Sequence, residues 1–129
     1  MPPKESLYPR DWVRIAEKDF KRAEQLLKLD DAEGAGYNLQ QAVEKYMKGF
    51  LLSKGWKLKR IHDLEILLND ALKYESTLEE FRDLCQKITD YYLIDRYPLP
   101  ASATLIASQV EKSLDQARKF IARLQALTQ

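Results

Sequence analysis

The stretch YNLQQAVEKYMKGFLLSKGWKLKRIHDLEILL, Tyr37–Leu68, decides how the rest of the chain is read. Leu39, Val43, Tyr46, Met47 and Phe50 recur at three- and four-residue steps, which places them on one face of an α-helix. That helix is expected from about Ala32 to Lys54, with Gly55 in position to close it through a left-handed turn. Asp63 stands where an N-cap belongs, ahead of Leu64, Leu67, Leu68, Ala71 and Leu72 on the next apolar face. Between the two helices the chain is basic: from Lys45 to His62 it carries Lys45, Lys48, Lys54, Lys57, Lys59 and Arg60, and no Asp or Glu. His62, the sole histidine, closes that run beside Asp63.

The same periodicity extends in both directions. Residues 1–8 are polar and proline-bearing and read as a loose arm. A first helix then opens at Pro9 or under an Asp11 cap, with Trp12, Ile15, Ala16, Phe20, Ala23, Leu26 and Leu27 on its apolar face. Leu29, Asp30 and Asp31 break it. Gly34 and Gly36 weaken the start of the second helix by ~1 kcal/mol each relative to Ala, and either allow a close helix contact or leave a frayed turn. Thr77 and Glu80 match a capping box for a fourth helix carrying Phe81, Leu84, Cys85, Ile88, Tyr91 and Tyr92. It must stop before Pro98, and Pro98 with Pro100 stiffens the connector that follows. In a last helix from about Ala103 to Leu127, Ala107, Val110, Leu114, Ala117, Ile121 and Leu124 alternate three- and four-residue steps, the seam of a bundle. No alternating strand pattern and no repeat occurs. The expected fold is all-α, an up-and-down four-helix bundle with an additional short helix, in one domain spanning 9–129.

Composition narrows the function classes. At 129 residues with net charge +1, the chain can bury an independent core and is not a polycation, so an anion site must come from local clustering. No apolar run approaches the roughly 18 residues of a membrane span, and a single cysteine, Cys85, suits a reducing cytoplasm. One His and one Cys cannot furnish a structural zinc site, no Glu-x-x-His pair supports a di-iron centre, and no glycine-rich phosphate loop is present. No metal, cofactor or membrane is therefore expected.

The basic run has two readings. Clustered cations interleaved with Tyr46, Phe50 and an exposed Trp56 could hold phosphate and stack on a base. Alternatively, the acidic start (Asp30, Asp31, Glu33, Glu44) and basic end of the second helix answer its dipole, with Glu44 and Lys48 forming an (i, i+4) pair. His62 is equally double: a general base or acid, or a loop anchor at a helix start.

Three segments in order, Gln40-Gln41-Ala42-Val43-Glu44-Lys45 with Lys48, then Ile61-His62-Asp63-Leu64 with Leu67 and Leu68, then Tyr92 and Asp95-Arg96-Tyr97-Pro98, resemble the HEPN domain family. The opening WVRIAEKDFKRAEQLL also resembles that family's first helix, so the likeness covers roughly residues 10–126. It implies a helical bundle that pairs as a homodimer. It also implies, for stand-alone members, a minimal nucleotidyltransferase partner in a toxin–antitoxin module. Many members are metal-independent ribonucleases using an arginine and a histidine with four to six residues between them. Such a pair lets the imidazole deprotonate a ribose 2′-hydroxyl while the guanidinium stabilises charge on phosphate. Arg96 aligns with the motif arginine, but Ala101, Ser102 and Ala103 occupy the positions where histidine belongs.

The first functional reading is therefore a HEPN homodimer with a degenerate ribonuclease motif, partnering the transferase and binding nucleotide or RNA through Lys45, Lys48, Lys57, Lys59, Arg60, Arg96 and Tyr97. The second is a ribonuclease toxin with a variant site built on Arg96 with His62 or Ser102. The third is a structural dimerisation adaptor that uses the Ala107–Leu124 seam.

Overall fold

The computed structural model describes residues 4–98, 100 and 104–128, with Asp95 and Arg96 described by backbone alone. Six α-helices follow in order: α1 Pro9–Lys28, α2 Ala32–Ser53, α3 Leu64–Leu72, α4 Arg82–Ile88, α5 Tyr91–Arg96 and α6 Ala107–Leu127, with a 3-10 turn over Ser76–Phe81 ahead of α4. No strand occurs among the described residues. The all-α bundle expected from periodicity is the fold.

α1 opens with Pro9 in its first turn, where a missing N–H leaves no bond unmade. It closes in a Schellman motif: Asp31 N–H donates to Leu26 O at 2.9 Å, Asp30 N–H to Leu27 O at 3.0 Å, and Asp30 takes φ +63°. Asp31 then caps α2, its Oδ1 accepting from Gly34 N–H at 2.9 Å. So short a connection turns α2 back antiparallel to α1, and these two form the principal helix pair. α2 is the central element, with α5, α6 and α3 laid against its other sides. Its stripe of Leu39, Val43, Met47 and Phe50 is wholly buried. Gly36 gives a close contact rather than a frayed turn, since a Cβ there would lie 2.6 Å from Leu105 Cδ1 and 3.2 Å from the Tyr91 ring. The α6 seam is buried from Val110 through Leu124, and Phe120 stacks on Phe81 at 4.6 Å between ring centroids.

The fourth helix is not continuous. The expected Thr77–Glu80 capping box does not form: Glu75 caps the 3-10 turn by accepting from Thr77 N–H, while Arg123 of α6 donates to Thr77 Oγ1 and pairs with Glu80. A second interruption falls at Thr89 and Asp90. There Thr89 Oγ1 accepts from Leu64 N–H at 2.9 Å, satisfying a free donor at the start of α3. Tertiary partners override the local helix pattern at both points. The last helix begins at Ala107 rather than near Ala103, which lies outside the described residues.

Candidate functional site

Gln40, Glu44 and Lys48 stand at i, i+4 and i+8 on α2 and so share a face. That face is buried, with Gln40 at 0%, Glu44 at 3% and Lys48 at 3% exposure. Burying charge is costly unless every group is partnered. Here it is: Glu44 Oε2 accepts from Lys48 Nζ at 3.1 Å, and Glu44 Oε1 from Gln40 Nε2 at 3.2 Å. His62 Nδ1 meets Glu44 Oε1 at 3.0 Å. Gln40 Nε2 also donates to the His62 carbonyl at 3.0 Å, and Gln41 Nε2 to Gln40 Oε1 at 2.7 Å. One turn of α2 thus grips both the main chain and the ring of residue 62. No buried side-chain nitrogen or oxygen among the described residues lacks a partner.

The loop between α2 and α3 is fixed at its other end as well. α2 closes in a Schellman motif, with Gly55 at φ +88°, Gly55 N–H donating to Leu52 O and Trp56 N–H to Leu51 O, both at 3.1 Å. Trp56 is therefore folded inward, and its Nε1 donates to Asp70 Oδ2 at 2.9 Å. Lys59 Nζ adds a bond to the same oxygen at 3.2 Å. Burial alone would raise the Asp70 pKa. The hydrogen bonds from Trp56 and Lys59, with the charges of Lys59 and Lys73, outweigh it and hold this carboxyl below the usual range. At the far side Asp63 caps α3, its Oδ1 accepting from Glu65 N–H at 2.9 Å and Ile66 N–H at 3.3 Å.

Between this loop, α2 and the start of α1 lies an open groove of about 590 Å³. Trp12 and Ile15 form its apolar wall, Lys48 and Glu44 its floor, and Arg14, Lys45, Arg60 and His62 border it. Lys48 Nζ sits 5.5 Å above the Trp12 ring, a cation–π contact beneath the groove. Trp12 Nε1 donates to Ser6 O at 2.7 Å, and Ser6 Oγ to Asp11 Oδ2 at 2.6 Å, which joins Ser6 to the start of α1. Glu5 and Asp11 add negative charge at that end. Lys45 pairs with the buried Asp19 at 2.5 Å. Arg14 and Arg60 are exposed and have no ion-pair partner among the described residues.

The basic run is thus divided by the fold. Arg60 and Lys45 reach the groove, Lys48 is sunk into its floor, Lys59 is committed to Asp70, and Lys57 is exposed away from the groove. The expected exposed Trp56 is 8% exposed and structural. The groove's aromatic residue is Trp12. Tyr97 is exposed outside the groove lining. Ser102 lies outside the described residues, as do Ala101, Ala103 and the Arg96 side chain. Arg14 and Trp12 give no sign of a site in the sequence, where Trp12 reads as part of the apolar stripe of α1. Their spacing from each other carries no motif; only the turn of α2 back along α1 brings them to Arg60.

Other reactive groups are quiet. Burial pushes the Cys85 thiol up to about 12, so it carries no thiolate at neutral pH. Burial, with the charge of Glu17, raises Tyr46 to about 12. Among the described residues no three His, Cys, Asp or Glu side chains converge as a metal site, and no helix is long and apolar enough to cross a membrane.

These features define a small helical bundle with a buried polar relay under a mixed aromatic and cationic groove. The sequence pattern of the HEPN domain matches residues 9–127, and the chain belongs to the HEPN family. Among solved structures it is similar to TT1696 from Thermus thermophilus, at 27% identity and a TM-score of 0.80, covering 92% of this chain and 97% of that one. Curated proteins return no match.

Proposed function

We propose that this chain is a nucleotide- or RNA-binding HEPN protein of the cytoplasm, acting as a homodimer with a minimal nucleotidyltransferase in a toxin–antitoxin module. The observation that carries the binding part is the groove: two unpaired guanidiniums, Arg14 and Arg60, stand on the border of a cleft walled by Trp12. Its volume falls in the range of small-ligand clefts, roughly 300–1,000 Å³. Guanidinium groups suit phosphate through their fork of donors, and an indole wall offers a sequence-tolerant surface for a base.

The partner and the dimer rest on family membership and on the match at Arg96-Tyr97-Pro98. The family's ribonuclease motif is degenerate in this reading, because Ala101, Ser102 and Ala103 replace its histidine. RNA is then held by the groove rather than by the family's motif, with Arg96 and Tyr97 as further contacts.

The test is binding of a short fluorescent single-stranded RNA at low salt, followed by anisotropy, with the Arg14→Glu/Arg60→Glu double variant alongside. The wild type should bind, and the variant should lose at least about tenfold in affinity, as removal of two charge-assisted phosphate contacts implies. Equal binding by both proteins would remove the groove from the reading.

A further inference from the structure

The outer face of α1 carries positive charge that the bundle leaves uncompensated. At the helical step, Arg10, Arg14, Lys18, Lys21, Gln25 and Lys28 fall within a sector of about 80° and run about 27 Å along the axis. All six are exposed. The five cations make no ion pair among the described residues, and Arg10 rests over the Tyr8 ring at 5.7 Å. The acids on either flank are engaged elsewhere. Glu24 pairs with Arg118 at 3.0 Å, Asp11 accepts from Ser6, Asp19 is buried against Arg22 and Lys45, and the charge of Glu17 acts on Tyr46. Apolar side chains bracket the stripe: Leu7 and Tyr8 stand exposed ahead of Arg10, and Leu29, 76% exposed, follows Lys28. Between these ends the sector has no apolar residue and no ring. A partner helix would need an apolar seam along the contact, and a nucleic-acid strand a stacking platform or channel. A flat anionic surface with an apolar interior answers both features, its headgroups meeting the cations and its acyl boundary the two ends.

We propose that α1 docks this protein on an anionic membrane surface, with the basic stripe on lipid phosphates and Leu7, Tyr8 and Leu29 in the boundary beneath them. Clusters of roughly four to eight Lys or Arg on one helix are what anionic lipid attracts. The contact is peripheral, since no helix among the described residues is long and apolar enough to cross a membrane. The lack of a long apolar run in the sequence excludes a span and not a contact of this kind. Docking needs no unfolding, because Ala16 and Ala23 on the opposite side of α1 stay in the core. The electrostatic part acts within a Debye length, about 10 Å at 0.1 M salt, and so weakens as salt rises. The inference does not depend on the RNA-binding reading above.

The experiment sediments the full chain with vesicles of mixed phosphatidylglycerol and phosphatidylcholine, and with vesicles of phosphatidylcholine alone, at low and moderate salt. Two double variants run alongside: Lys18→Glu/Lys21→Glu, which reverses the middle of the stripe outside the groove, and Leu7→Ser/Leu29→Ser, which removes the apolar ends at unchanged charge. All four positions are exposed, so both variants should keep the wild-type melting temperature. The wild type should sediment with the anionic vesicles and not with the neutral ones. The charge variant should lose at least about tenfold in partitioning, and the leucine variant at least about threefold. No sedimentation with anionic vesicles, or equal sedimentation by the charge variant, overturns the inference. So does a loss on charge reversal with none on removing the leucines, which would make the stripe a general polyanion surface rather than a membrane contact. RNA binding in the groove is measured separately, and its failure leaves the vesicle result standing.

Discussion

At the scale of single residues, the chain uses buried charge as joinery. Asp70 ties Trp56, Lys59 and Lys73 to α3, and through them fixes the loop that carries Arg60 and His62. Because its pKa is held below that of an unfolded aspartate, its contribution to stability is present above about pH 4, the ordinary carboxyl range, and is lost as pH falls through the lowered folded value. Urea unfolding between neutral pH and about pH 2 should therefore show wild type converging on Asp70→Asn at the acid end, with the variant weaker by about 1–3 kcal/mol at neutral pH, the cost of losing hydrogen bonds to a charged group. Parallel curves at every pH would mean that Asp70 titrates alike folded and unfolded. The same carboxylate explains why Trp56, which the sequence offers as an exposed aromatic surface, is buried. Nothing local distinguishes Trp56 from Trp12 as a stacking surface. The choice is made by an acceptor 14 residues downstream of Trp56, which draws that indole inward. The pairing of Glu44 with Lys48 is legible from its four-residue spacing, but its burial is not, since burial depends on α1 and the loop closing over it.

Among elements, the ends of helices are readable wherever backbone chemistry alone decides them. Gly55 and Asp63 occupy the positions their residue types imply, and both bound the loop that builds the groove. Gly55 offers a clean measurement, because nothing lies within 4 Å of an added Cβ while φ is +88°. Gly55→Ala should cost about 1 kcal/mol from left-handed strain alone, seen as a lowered urea midpoint at unchanged slope. An unaltered midpoint would show that the turn relaxes to another conformation without loss. Continuity of the fourth helix is not readable, because its breaks answer partners on other elements: Arg123 from α6 at Thr77 and Glu80, and the Leu64 amide from α3 at Thr89. An apolar period of three and four persists through Phe81, Leu84, Cys85, Ile88 and Tyr91 whether or not the backbone does. The α2–α3 loop has the opposite character, with a basic composition suggesting one surface that the fold then sorts into groove, anchor and solvent.

For the whole molecule, net charge of +1 means that no long-range field draws a polyanion to the surface at large. The proposed RNA binding therefore rests on the few cations the fold concentrates, and the groove offers Arg14, Arg60 and the partly committed Lys45, set against the carboxylates of Glu5 and Asp11 at its other end. Each phosphate neutralised on a single strand contributes about −0.7 to the slope of log affinity against log salt. Two or three contacts then predict a fall of roughly tenfold between about 50 and 200 mM salt, far short of the losses of about 10³ or more seen for six or more contacts. The same slope reports on assembly. If a homodimer aligns its two grooves along one strand, RNA long enough to span both should show about twice the slope of a short oligonucleotide, whereas separate grooves leave the slope independent of length. Titrating both lengths across the salt range, with light scattering to record the mass of the free protein, separates these cases. A slope near zero for either length would mean that the guanidiniums of Arg14 and Arg60 meet no phosphate at all.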